Sequence, residues 1–325
     1  MHLKAPVLLF WWLGFVSLEN DNTTRQMQEA HRLIREVQQK TLSPVSASNR
    51  MEVLGIQKTS AALLMKVLQN PMEIQTRYRL VELLALLSQS VSARYFLDAL
   101  EGEDVYLRML AAKALGPLQH KEALPSLVNM LLDPRLALRR EAATALGRLK
   151  LKQAMEPLLA ALHVEAEPEV RKQMLWALGM LNDKKSLSSI QRFLTHSSEA
   201  TRWAAAQALL AMGEHSGWEW LKPHLNSPED SECDYALLSL EEVVPSPSWK
   251  KEALGLLHNI MQKRQASLAA RAAVVAVHWK DRSAQLWLER KVEQSEGDEL
   301  GIYEKALNRV RELLANSPTP KEKRL

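Results

Sequence analysis

VYLRMLAAKALG at 105–116, LALRREAATALG at 136–147, PEVRKQMLWALG at 168–179 and EATRWAAAQALLAMG at 199–213 are one pattern written four times. Its marker is an arginine, at Arg108, Arg139, Arg171 and Arg202, recurring at steps of 31, 32 and 31 residues. A fixed period in that range is the mark of a stacked repeat array and takes precedence over local readings. Counted from the arginine, position +7 is Leu115, Leu146, Leu178 and Leu209, and position +6 is Ala114, Ala145, Ala177 and Ala208. Positions −1, +3 and +7 share one helical face, which gives each segment a packing stripe. The small alanines at +6 let neighbouring helices approach closely. Gly116, Gly147 and Gly179 follow directly, where a helix end favours a residue that tolerates positive φ. The fourth copy delays its glycine to Gly213.

A second helix follows each first one: ALPSLVNML at 123–131, AMEPLLAAL at 154–162, SLSSIQRFL at 186–194 and GWEWLKPHL at 217–225. Leu124, Met155, Leu187 and Trp218 form one column of these segments, and Leu127, Leu158, Ile190 and Leu221 the next. Neither helix buries its stripe alone, so the next pair must cover it. The expected fold is therefore all-α, an α-solenoid of stacked two-helix repeats. The R-x-x-A-A-x-A-L-G first helix resembles HEAT-like repeats, in the short form of phycobilisome-lyase-type proteins, clearly over 105–225 and more weakly over 57–292. That resemblance implies a right-handed superhelix, with first helices on the convex side and second helices lining the concave side.

Length and composition fit this class. A chain of 325 residues exceeds a usual single core, but each repeat of a solenoid contacts only its neighbours. The 42 basic and 38 acidic residues leave a net charge of +4, too weak a bias to argue for a nucleic-acid partner. Cys233, the one cysteine, lies 31 residues beyond Arg202 in the marker column of a degenerate fifth block. It reads as a packing residue, and a lone cysteine forms no internal disulfide.

The apolar run 5–18 (APVLLFWWLGFVSL) has the length of a signal-peptide core and falls short of the roughly 20 residues of a membrane span. Residues 1–20 are accordingly expected to be a signal peptide or membrane anchor that exports the chain or holds it at a membrane. Residues 21–56 read as an amphipathic helix, Met27 to Lys40, and a Ser/Pro-rich linker, Thr41 to Asn49. The repeats occupy 57–294, with Arg77 continuing the marker series backwards by 31 and a proline-rich interruption, VVPSPS, at 243–248. A capping helix at 295–315 and a disordered polar tail at 316–325 complete the expected organisation.

None of the nine histidines is followed by glutamate, which excludes the di-iron hydroxylases that share a HEAT-like fold. GxGxxG, GKS/T, HExxH, GxSxG and CxxC are all missing. No catalytic residue, metal or cofactor is therefore expected. The function expected from these residues is a non-enzymatic scaffold that binds another protein outside the cytoplasm. The resemblance implies an alternative: a bilin lyase-type subunit, acting in the cytoplasm in a heterodimer and binding an open-chain tetrapyrrole. For the partner surface, columns +1 and +5 of the first helices are mostly polar, so Trp203 and Trp176 are expected to face solvent as interface anchors, unless each ring folds over a neighbouring segment. Arg192 and Trp220 sit in second-helix columns directed away from the core and are candidates to grip a peptide by stacking plus charge. Trp218 belongs to a leucine/methionine column and is assigned to the core.

Overall fold

The computed structural model describes residues 7–68, 70, 72–87, 93–241 and 243–315, and their regular structure is entirely helical. The start of the expected N-terminal signal or anchor, residues 1–6, and the polar tail at 316–325 lie outside the described residues. Packing divides the chain into two units, Met1–Ala161 and Leu162–Leu325. The first holds α1 (Val7–Gln38), α2 (Pro44–Val53), α3 (Gln57–Leu68), α4 (Ile74–Leu86), α5 (Ala93–Glu101), α6 (Val105–Leu115), α7 (Leu124–Met130) and α8 (Leu136–Leu149). Helix α9 (Met155–Val164) carries the division. The second unit holds α10 (Pro168–Leu181), α11 (Leu187–Arg192), α12 (Glu199–Ala211), α13 (His215–Leu225) and α14 (Asp230–Leu240). It continues with α15 (Pro247–Lys263), α16 (Ala266–His278), α17 (Arg282–Gln294) and α18 (Gly297–Ala315). Within each unit first helices stack on first helices, α6 on α8 and α10 on α12, as an all-α array of two-helix repeats requires. Among the described residues no helix is long and apolar enough to cross a membrane.

Residues 44–53, read as part of a linker, are helical instead. Ser43 is a helix cap, its Oγ accepting from the Ser46 N–H at 3.1 Å, and Pro44 occupies a first-turn position where a missing N–H costs nothing. The end of α1 is fixed to α4 by Arg79, whose guanidinium donates to the carbonyls of Val37 at 3.1 Å and Leu42 at 2.9 Å.

The structure gives the marker arginine a physical reason. Arg139 Nη1 donates to the carbonyls of Asp133 and Pro134 at 3.0 and 3.1 Å. Arg171 Nη2 reaches Glu165 and Ala166 at 2.7 and 3.1 Å, and Arg202 Nη1 reaches His196 and Ser197 at 2.8 and 3.0 Å. In each case the acceptors lie six and five residues earlier, on the turn leaving the previous second helix, where carbonyls have no partner inside the helix. Arg108 departs from the rule and pairs with Asp133 Oδ2 at 2.9 Å. The fifth block has Cys233 in this column, so the equivalent carbonyls, those of Ser227 and Pro228, lack an arginine of their own repeat. Arg264, 31 residues beyond Cys233, supplies it: its guanidinium donates to both.

The glycines of the ALG runs serve packing. Gly116 does cap the end of α6, though with an ordinary helical φ of −57° and not a positive one, whereas Gly147 and Gly179 lie inside α8 and α10. A Cβ on Gly116 would stand 3.0 Å from Ala145 Cα, and one on Gly179 would stand 3.1 Å from Ala208 Cα. The +6 alanine of one repeat thus meets the glycine of the repeat before it. The left-handed residue comes three positions later, at Gln119, Lys150, Asn182 and Gly213, with φ between 48° and 77°. In the fourth copy Leu210 takes the packing glycine's place, and Gly217 on α13 yields the space: a Cβ there would lie 2.8 Å from Leu210 N.

Candidate functional site

The sequence offered four residues for a partner surface, and the second unit places them in three settings. Trp203 is buried, with 5% of its surface exposed, against the expectation from its polar column. The reason is that two neighbouring helices bring large side chains onto it. Trp220 and His224, one turn apart on α13, approach its ring at centroid distances of 4.9 and 4.6 Å, and Tyr235 of α14 meets it edge-on at 4.6 Å. Its Nε1 donates to Glu199 Oε1 at 3.3 Å. Trp220 is half-buried within this nest, also tilted on His224 at 4.4 Å. His224 is in turn held by Glu232, whose carboxyl is pulled below its usual range by the Ser227 hydroxyl and by His224.

Trp176 does stand out, 36% exposed, on the wall of a small cavity of about 90 Å³. That cavity lies between α10, with Lys172 and Met180, and α12, with Ala204 and Gln207. Arg192 is exposed at the end of α11. Among the described residues no cation–π contact joins Arg192 to Trp220, whose indole packs on Trp203 and His224. Trp218, assigned to the core, is fully buried, stacked on Trp249 at 5.3 Å.

The nest opens on a shallow groove of about 520 Å³ lined by Glu199, Trp203, Glu229, Glu232 and Tyr235, the last 40% exposed. It is aromatic at its floor and acidic at its rim, a surface suited to docking. Tyr235, His224 and the three glutamates were not singled out from sequence; the i, i+4 pair Trp220–His224 was the available signal. No nucleophile faces the groove from Cys233, which is buried, donates to the Leu225 carbonyl at 3.4 Å, and has its thiol pKa pushed up by burial. Among the described residues no group of three His, Cys, Asp or Glu side chains is arranged to hold a metal ion.

A family model described as HEAT repeats matches residues 61–144, 93–167 and 155–241. The chain belongs to the HEAT-repeat family. Two curated relatives place this HEAT-repeat protein among those of the phycobilisome-lyase type. It is 31% identical over 185 residues to the bilin biosynthesis protein PecE of Mastigocladus laminosus, a match covering 54% of this chain and 68% of PecE. It is 39% identical over 117 residues to the phycocyanobilin lyase subunit alpha of a Synechocystis strain, covering 33% of this chain and 43% of the relative. Among solved structures, the CpcE–CpcF complex of phycocyanin lyase from Nostoc aligns with a TM-score of 0.49 and 23% identity, over 83% of this chain and 95% of that one. The expectation of a non-enzymatic scaffold is overturned by the two relatives, which are named for bilin biosynthesis and bilin lyase chemistry. It rested on missing catalytic motifs and on the apolar run 5–18.

Proposed function

We propose that the chain is a subunit of a bilin lyase, handling an open-chain tetrapyrrole beside a second protein subunit and passing it to a client protein. The observation that carries this reading is the 31% identity to a bilin biosynthesis protein over 68% of that protein's length. The second relative, named as an alpha subunit, supports a partner subunit. The chain's own chemistry is compatible with binding and orientation. Its one thiol is buried and its pKa raised, which makes Cys233 a poor covalent carrier for the chromophore. The acidic, aromatic groove at Trp203 and Tyr235 is the surface we assign to the partner subunit.

The test is reconstitution. A bilin-producing bacterial host would express a phycobiliprotein client with this chain and with the partner recovered on it by pull-down. The expected result is a client that keeps its colour through denaturing electrophoresis, and only when this chain is present. A colourless client from the complete set refutes the reading.

A further inference from the structure

Away from the aromatic nest, the second helices of two successive hairpins in the second unit border an open pocket of about 260 Å³. Helix α15 lines it with His258 and Met261, and α17 with Ser283, Leu286, Trp287 and Arg290. Residues 283, 286, 287 and 290 are spaced i, i+3, i+4 and i+7 and form one face of α17 beside its buried Ala284 and Leu288; Trp287 on it is half-buried, and Ser283, Leu286 and Arg290 are open to solvent. Two of the polar groups are already engaged: His258 Nε2 lies 2.7 Å from Asp281 Oδ2, and Ser283 Oγ donates to Asp281 Oδ1 at 2.7 Å. Arg290 is different. Among the described residues its guanidinium has no hydrogen-bond or ion-pair partner. A second cation, Lys291, lies over the Trp287 ring at 5.6 Å.

An uncommitted guanidinium beside an indole and an aliphatic floor is a receptor for a carboxylate carried on a flat, apolar body. The guanidinium takes the carboxylate through two parallel bonds, while the ring and the Met261 and Leu286 side chains take the body. At about 260 Å³ the pocket falls below the roughly 300–1,000 Å³ that encloses a whole drug-sized ligand. It therefore fits one end of a longer molecule.

We propose that this pocket seats one propionate-bearing ring of the open-chain tetrapyrrole, with Arg290 on the carboxylate and Trp287 against the ring. The proposal rests on the lyase reading, and it is tested with biliverdin and biliverdin dimethyl ester on the full chain, read by the circular dichroism induced in the visible band of the bilin. Arg290→Gln should weaken biliverdin binding about tenfold, the loss of one charge-assisted contact. The same variant should leave binding of the ester unchanged. Arg290→Lys should recover part of the loss, and Trp287→Leu should weaken acid and ester alike while the melting temperature confirms folding. Wild-type affinity for biliverdin in Arg290→Gln overturns the site and leaves the lyase reading standing. An equal loss for acid and ester in that variant overturns the carboxylate role. Absence of any biliverdin binding by the wild-type chain also overturns the site, and the client-colour assay then decides the lyase reading on its own.

Discussion

Arg171→Met asks how much of the array's stability the marker arginine supplies. The side chain is 8% exposed and makes three bonds, to the carbonyls of Glu165 at 2.7 Å and Ala166 at 3.1 Å and to Thr201 Oγ1 at 3.0 Å. Methionine keeps much of the aliphatic stem, so the packing change is small and the guanidinium is what disappears. A hydrogen bond from a charged donor contributes about 1.5–3 kcal/mol, and a buried acceptor left without a partner costs about 1–3 kcal/mol. Ala166 is exposed and its carbonyl can turn to water, which leaves two bonds to count in full. Relief from desolvating the guanidinium offsets part of the loss, for a net destabilisation of about 3 kcal/mol. In a unit of this size that lowers the melting temperature by roughly 6–12 °C. Arg202→Met removes bonds to His196 and Ser197, the latter exposed, and should cost only about 1 kcal/mol. Urea unfolding followed by tryptophan emission is the assay, because Trp176, Trp203, Trp218, Trp220, Trp249, Trp279 and Trp287 all lie in the second unit. An Arg171→Met protein within about 0.5 kcal/mol of wild type, or less affected than Arg202→Met, refutes the reasoning.

Arg264→Ala should destabilise the second unit by about 1–2 kcal/mol, and adding Cys233→Arg should recover part of that loss by restoring a donor to the Ser227 and Pro228 carbonyls; strictly additive losses in the double variant contradict the exchange. Gly179→Ala should cost about 1–3 kcal/mol, because the new Cβ presses on the Ala208 backbone, whereas Gly255→Ala in α15, with open space around it, should gain about 0.5–1 kcal/mol of helix propensity. Thermal melts of the two proteins shifting in the same direction would count against the packing account. Asp281 is raised by burial but lowered more by the Ser283 hydroxyl and N–H and by His258, for a net depressed pKa. A carboxyl held low contributes stability above its unfolded value near 3.9 and loses it as pH falls through the lower folded value. Asp281→Asn should therefore be less stable than wild type at pH 7 and flatten the acid limb of the stability curve below about pH 4; an unchanged limb denies the role. Finally, we propose that residues 1–20 are a signal peptide or membrane anchor, so that a 21–325 protein fractionates differently from the full chain; identical fractionation of both forms removes that assignment.

The stacking was legible because its contacts recur at the repeat period: Leu115, Leu146, Leu178 and Leu209 are one buried column wherever it is cut. What the arginine does was not, since its acceptors are backbone carbonyls that leave no letter in the sequence. Gly147 and Gly179 were assigned to helix ends because a glycine after a leucine looks like a stop, yet Lys150 and Asn182 take the left-handed turn three residues later. Trp203 was left by its column between a solvent-facing anchor and a packed ring, and the choice is made by Trp220, His224 and Tyr235, which arrive from two other helices. The segment at 44–53 was judged by composition, while a single serine cap and a well-placed proline made it helical. The link to bilin lyases had no motif to announce it: it lies in overall similarity to relatives and not in any short pattern of catalytic residues.

Arg264 has a consequence for how such a chain can change over generations. Because it plugs a vacancy created at Cys233, the two hairpins have become a single heritable block. Recombination that duplicated or excised the Cys233 hairpin alone would leave exposed carbonyls behind or an idle arginine ahead. The ties upstream, Arg108 to Asp133 and Arg171 to Thr201, join hairpins that each keep a marker arginine of their own, so natural shuffling and laboratory grafting alike should find their seams upstream of this pair.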